Sequence, residues 1–181
     1  MKYMQNGGFQ NHKLMKLTLL LTLVFLFGFW LTNFAFYFSK MSITAQSVRD
    51  YYLGSEENYT MPRTYQSMLE VTHAHLPMMA LVVLLTTHLL IFAPYETKTK
   101  TIFITNGFLL ALLNESAGWL VRFVNPALAW LKVMTFFSFQ GVLGFLILAL
   151  SVFLLSGRAL RLKFHSNNAG TLVHNKEEMK L

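Results

Sequence analysis

The sequence predicts an all-α, polytopic membrane protein, a bundle of four transmembrane helices with both termini cytoplasmic. Three observations predict it. The chain is 54% hydrophobic and only 13% charged, with seventeen phenylalanines, a composition outside the range of soluble domains. Four apolar runs, each of roughly 18 to 23 residues, suffice to cross a hydrocarbon core of about 30 Å as helices. Lys and Arg gather at the ends of these runs, so the net charge of +7 reads as a topology signal and not as a nucleic-acid surface.

The polar segment 1–16 carries Lys2, Lys13 and Lys16 and precedes the first span, 17–38. That run lacks a small-x-small cleavage pattern and exceeds a signal-peptide core, so it is expected to remain as an anchor, with Trp30 and Tyr37 in an interfacial belt at its far end. The outer loop, 40–72, is the longest polar connection and is punctuated by Gly54 and Pro62. Ser67-Met68-Leu69-Glu70 fits a capping box, which starts a helix at Thr64 or Ser67. The second span, 76–93, contains Pro77, which removes a backbone hydrogen bond and predicts a kink or unwinding beside His73 and His75.

The third span, 102–123, holds Asn106, Asn114, Glu115, Gly118 and Arg122, and the fourth, 133–155, holds Gln140, Gly141 and Gly144. Arg158, Arg161 and Lys163 open the polar tail, 156–181, which is expected to be partly disordered. Basic residues at the N-terminus, after the second span and in the tail place both termini in the cytoplasm. Glu70, His73 and His75 then lie at the outer surface, and His88 nearer the cytoplasm.

The absence of cysteine excludes disulfides, thiolate metal sites, iron–sulfur ligation and thioether-linked haem. Any metal must use His, Met or carboxylate. His73 and His88 are fifteen positions apart, about 60° of rotation and roughly 22 Å of rise on an ideal helix. That separation resembles the stacking of two haems along one helix in membrane b-type cytochromes, so His73, His75 and His88 are candidate haem b ligands. The other spans lack histidine. The sixth ligand is therefore Met134, or is absent, or is a histidine from a second copy or another subunit.

Glu70-Val71-Thr72-His73 is a Glu-x-x-His pair of the kind used by carboxylate-bridged metal centres, and Glu115 offers a further carboxylate. A mononuclear copper or zinc site on His73, His75 and Met78 is the smaller alternative, and a chain without cofactor is another. Glu115 and Arg122, seven apart, share a helix face. They read as an ion pair within or between helices or as a proton or quinone contact near His75 in the outer leaflet. Gly141 and Gly144 suit close helix packing, and Asn106 is placed to hydrogen-bond His88. His12, His165 and His174 lie outside the spans and carry no signal, and Asn58-Tyr59-Thr60 is a weak match to a glycosylation acceptor.

Tyr51-Tyr52-Leu53-Gly54, the Glu70-Val71-Thr72-His73-Ala74-His75-Leu76 motif, His88-Leu89 and Trp119-Leu120-Val121-Arg122 together resemble a group of small four-span bacterial inner-membrane proteins. The likeness runs from about Tyr51 to Gly144 and implies the span count but no activity. His73-Ala74-His75-Leu76 is also similar to His-x-His-Leu segments of haem–copper oxidase-type membrane subunits, which implies a haem ligand and not a complete oxygen-reducing site.

The expected function is that of a small integral subunit of a respiratory or electron-transfer complex. Its expected partners are the lipid bilayer, other membrane subunits or a second copy, and a quinone or a periplasmic cytochrome. A cofactor-free accessory subunit is the first alternative. A small transporter or metal-handling protein is the second, ranked lower because the two halves of the chain show no repeat.

Overall fold

A computed structural model describes residues 12–156; the first eleven residues and the tail from 157 onward, with Arg158, Arg161, Lys163, His165 and His174, lie outside the described residues. The described residues form helices α1 (Lys13–Phe38), α2 (Ala45–Leu53), α3 (Tyr65–Ile91), α4 (Thr97–Phe123) and α5 (Ala129–Ser156), with a 3-10 turn at Pro126–Leu128. Three of these elements are long and apolar enough to cross a membrane: α1, α3, and the stretch from the 3-10 turn through α5. α4, at 27 residues, matches them in length but not in apolarity. Asn106, Asn114, Glu115, Ser116 and Arg122 lower its hydropathy, while Ile102, Phe108, Leu109 and Leu112 form its outward face.

The long helices run alternately up and down. Tyr37 stacks on Phe136 at 4.0 Å and Trp30 Nε1 donates to the Gln140 carbonyl at 2.9 Å, which sets α1 antiparallel to α5. Phe103 stacks on Phe145 at 4.0 Å and Lys132 Nζ reaches Asn114, so α5 is antiparallel to α4. Thr72 bonds Glu115 while Val83 packs on Gly107, so α4 is antiparallel to α3. α4 packs most extensively on α5 and next on α3. At the end away from α2, Leu23 and Leu26 of α1 share a cluster with Val82 of α3 and with Leu143, Ile147 and Leu150 of α5.

α2 falls within the predicted polar connection. The Thr44 side chain caps it by accepting from the Ser47 N–H at 3.3 Å, and Ala45, Val48 and Tyr52 turn one buried face onto the bundle. The helix stops at Gly54, whose φ of +84° suits glycine and strains any L side chain. A Cβ there would lie 2.6 Å from the Thr60 carbonyl oxygen and 2.9 Å from the Pro62 nitrogen, both backbone atoms that cannot swing aside. Gly54→Ala is therefore expected to lower stability by about 2 kcal/mol. Thermal unfolding of the purified protein checks this, and an unchanged midpoint would show that the turn relaxes freely.

α3 begins at Tyr65, with Thr64 as N-cap accepting from the Ser67 N–H at 3.2 Å. The capping box expected at Ser67 is replaced by this cap. Glu70 instead accepts from Gln66 Nε2, one turn earlier on the same helix. The helix continues through Pro77, so the expected unwinding does not occur. Of the two glycines expected at close packing positions, Gly144 receives the Trp30 ring, 3.1 Å from where a Cβ would stand, while Gly141 has open space beside it.

Candidate functional site

Two helices, α3 and α4, bring a hydrogen-bonded chain of side chains to the α2 end of the bundle. Trp119 Nε1 of α4 donates to Thr72 Oγ1 of α3 at 2.8 Å, and Thr72 donates to Glu115 Oε1 at 2.6 Å. The direction is forced, because an indole N–H can only donate and the threonine proton is then free only for the carboxylate. The other oxygen of Glu115 stands 3.3 Å from His75 Nδ1. An N–H on His75 Nδ1 has this carboxylate oxygen as its acceptor, the donor following the imidazole tautomer.

Spacing places these groups. Glu115 and Trp119 are one turn apart on α4, and Thr72 and His75 are one turn apart on α3, so each pair projects to one side. Met68, Val82, Val83, Thr86 and Leu90 mark the buried stripe of α3, and Thr72 and His75 lie along its extension. The positive charge of Lys132 also attracts Glu115. That lysine is buried, and its ammonium is satisfied by the Asn114 backbone oxygen at 2.7 Å and Oδ1 at 3.2 Å.

The Glu115–His75 pair lies in the wall of a cavity of about 270 Å³ enclosed by all five helices. Phe29, Phe36 and Tyr37 of α1 face Thr72, His75 and Met79 of α3 across it. Tyr52 from α2, Gly118 from α4 and Gln140 from α5 complete the enclosure. Burial pushes the Tyr52 phenol above the ordinary tyrosine value, reinforced by Tyr51 and by the charge of Glu115, so it remains a neutral hydrogen-bond donor. Gln140 is 2% exposed, and its Oε1 has no hydrogen-bond partner among the described residues. A buried carboxamide oxygen left unpaired costs roughly 1–3 kcal/mol, so its place in a cavity wall marks a position that a ligand would satisfy.

The other candidate residues are dispersed. His73 and His88 are exposed on the outer surface of α3, and the His88 ring meets Phe92 edge-on at 5.6 Å. Met134, 63% exposed, also points outward, and neither histidine nor this methionine lines the cavity. The expected hydrogen bond between Asn106 and His88 is absent among the described residues; Gly107, and not Asn106, faces α3. Glu70 is exposed and pairs only with Gln66. No group of three His, Asp or Glu side chains that could hold a metal ion occurs among the described residues. Arg122 does not pair with Glu115; its Nε donates to the Arg63 carbonyl at 2.8 Å.

Sequence reasoning therefore reached Glu115 beside His75 but missed Thr72, Trp119, Tyr52, Lys132 and Gln140. The threonine and tryptophan had a signal in their one-turn spacing from the two titratable residues. No curated protein and no solved structure matches the chain. A family model described as a transmembrane helical domain, Aq_1264_TM, matches residues 42–161, a stretch that holds α2 to α5 and every cavity residue outside α1 and the turn after it. With most of its length inside that match, the chain belongs to this family of transmembrane helical domains.

Proposed function

We propose that the protein is a four-span protein of the bacterial inner membrane that holds a membrane-soluble ligand in the cavity at its outer, α2 end. α4 lies antiparallel beside both α3 and α5, so where they cross the bilayer it crosses too, with Asn114 and Glu115 turned to its neighbours and Leu109 and Leu112 to lipid. The basic flanks put both termini in the cytoplasm. Segment 1–16 and the tail 156–181 are then cytoplasmic, and the 40–72 connection is outside. Reporter fusions at Gly54 and at the C-terminus test this, and an external C-terminus would overturn it.

The observation that carries ligand binding is the unpaired Gln140 carboxamide in a cavity whose wall also bears the Glu115–His75 pair. The volume is close to the roughly 300 Å³ lower end of small-molecule pockets, enough for a headgroup or part of a chain. Gln140→Leu is expected to leave the fold as stable or more so, since it removes a buried unpaired amide, while weakening ligand retention on the order of tenfold. Native mass spectrometry of the protein purified in gentle detergent reads both. Absence of any retained small molecule, or undiminished retention by the variant, refutes the reading.

A second reading is favoured by His88, an imidazole turned outward from an apolar helix, edge-on to the Phe92 ring and with no hydrogen-bond partner among the described residues. Such a group is costly in hydrocarbon unless a partner satisfies it. In an electron-transfer subunit, His88 and His73 would ligate haem b at an interface with a second copy or another chain, since the outward placement of Met134 gives neither a partner within one bundle. A reduced-minus-oxidised spectrum of the native complex with b-type bands, lost in part by His88→Ala, is the expected result. A spectrum without them removes haem and leaves the accessory role.

A further inference from the structure

At the mouth of the cavity stand two cations that nothing neutralises. Lys40 Nζ lies 3.8 Å from the centroid of the Phe36 ring and 5.9 Å from that of Tyr51, and the Arg63 guanidinium carbon lies 4.4 Å from the Tyr51 centroid. Both charges thus gather around one ring and are held by aromatic faces. Neither makes an ion pair or a side-chain hydrogen bond among the described residues, where His75–Glu115 is the one ion pair. Two neighbouring like charges repel, and an anion between them would relieve that cost. Glu115 is the one carboxylate in the cavity lining, and it is already engaged by Thr72 and His75.

Besides its polar groups the cavity lining has an apolar stretch shared by α1 and α3. Phe36, Val71 and Met78 line it while remaining exposed on the lipid-facing surface of α1 and α3. A cationic lip over an apolar cleft between two membrane helices fits an amphiphile with its anion at interfacial depth and its chain in the cleft. We propose that the ligand is an anionic phospholipid, its phosphate attracted by Lys40 and Arg63 around the Tyr51 ring and the start of its acyl chain lodged between α1 and α3. A zwitterionic lipid would bring an ammonium group to a lip that has two cations and no free acid, so the site selects for net negative charge. This inference rests on the cavity being the ligand site.

The test uses the full-length protein, stripped of lipid in detergent and titrated with phosphatidylglycerol, phosphatidylcholine of the same chains, or a neutral quinone, with retention read by native mass spectrometry. Phosphatidylglycerol is expected to be retained about tenfold more tightly than phosphatidylcholine. The preference should vanish in Lys40→Gln/Arg63→Gln, and Val71→Trp, which narrows the cleft from its rim, should weaken phosphatidylglycerol binding. Equal retention of the two lipids, both weakened by Val71→Trp, overturns the charge selection and leaves the cavity as the ligand site. Retention of the quinone in place of either lipid does the same. Retention that neither variant changes overturns both the lipid assignment and the cavity reading.

Discussion

Gly118→Leu is expected to detach α2 from the bundle and cost about 3 kcal/mol, at the upper end of ordinary overpacking. A Cβ on Gly118 would lie 2.6 Å from the Tyr52 hydroxyl oxygen, 2.9 Å from Cζ and 3.0 Å from Cε1, so all three of its nearest contacts belong to one ring. Tyr52 is 9% exposed and forms a cluster with Val48, Met68 and Val121, so displacing its ring either lifts α2 or drives the ring into the cavity that it lines, and both break this cluster. The diagnostic experiment is a double-mutant cycle with thermal unfolding as the readout. In a Tyr52→Ala background, which is itself destabilised by the lost ring, adding Gly118→Leu should cost little, because the space it needs is already vacated. Equal costs of the leucine in both backgrounds would show that the clash is not with Tyr52. Faster hydrogen exchange in the Gly118→Leu variant should be confined to α2 and the turn after it.

Why α2 was hidden from the sequence is instructive. The spans announce themselves by uninterrupted apolar length, whereas Ala45–Leu53 is nine residues with Gln46, Ser47, Arg49 and Asp50 among them. Its signal is the spacing of Ala45, Val48 and Tyr52 along one face, together with the Thr44 cap, and both are easily passed over in a polar connection. The same limit applied to α3. Its apolar residues encircle the helix, as a membrane environment permits, so the pattern does not say which side faces the bundle. The angular separation of His73 and His88 could be computed, but their direction could not, and both turn outward. His75 faces Glu115 from a helix that stays continuous through Pro77.

α4 shows a converse limit. Its polar residues depress an average taken round the whole helix, about which they are spread, with Ser116 on the side of Leu109 and Leu112. Glu115, Gly118 and Trp119 enter the cavity lining while Leu109 and Leu112 point away. Mean hydropathy therefore sets α4 apart from the three candidate spans, although its apolar run from Ile102 to Phe123 is comparable to them in length. What neither measure supplies is which polar group on one helix meets which on another, since that depends on how far α3, α4 and α5 slide past each other. The meeting of Lys132 with Asn114, and not with Glu115 directly, is of this kind.

Glu115→Ala and Glu115→Gln should separate the two roles of this carboxylate. Alanine removes the acceptor of the Thr72 hydroxyl and the partner of His75, and it leaves the Trp119–Thr72 bond without an anchor at its far end. Hydrogen bonds to a charged group are each worth about 1.5–3 kcal/mol, and His75 is half exposed, so the expected loss is about 3 kcal/mol. Glutamine keeps a carbonyl oxygen for Thr72 and offers an N–H to His75 Nδ1, so the expected loss is about 1 kcal/mol. It still removes the carboxylate acceptor of the imidazole N–H. Thermal unfolding ranks the variants, and the nitrogen chemical shifts of His75 report that N–H, which should leave its position in both. If glutamine proves as damaging as alanine, the weight shifts from these hydrogen bonds to the attraction between Glu115 and the buried Lys132 ammonium. Lys132→Met in the Glu115→Gln background then decides the matter, since removing an uncompensated buried charge should restore stability only if that attraction was what had been lost.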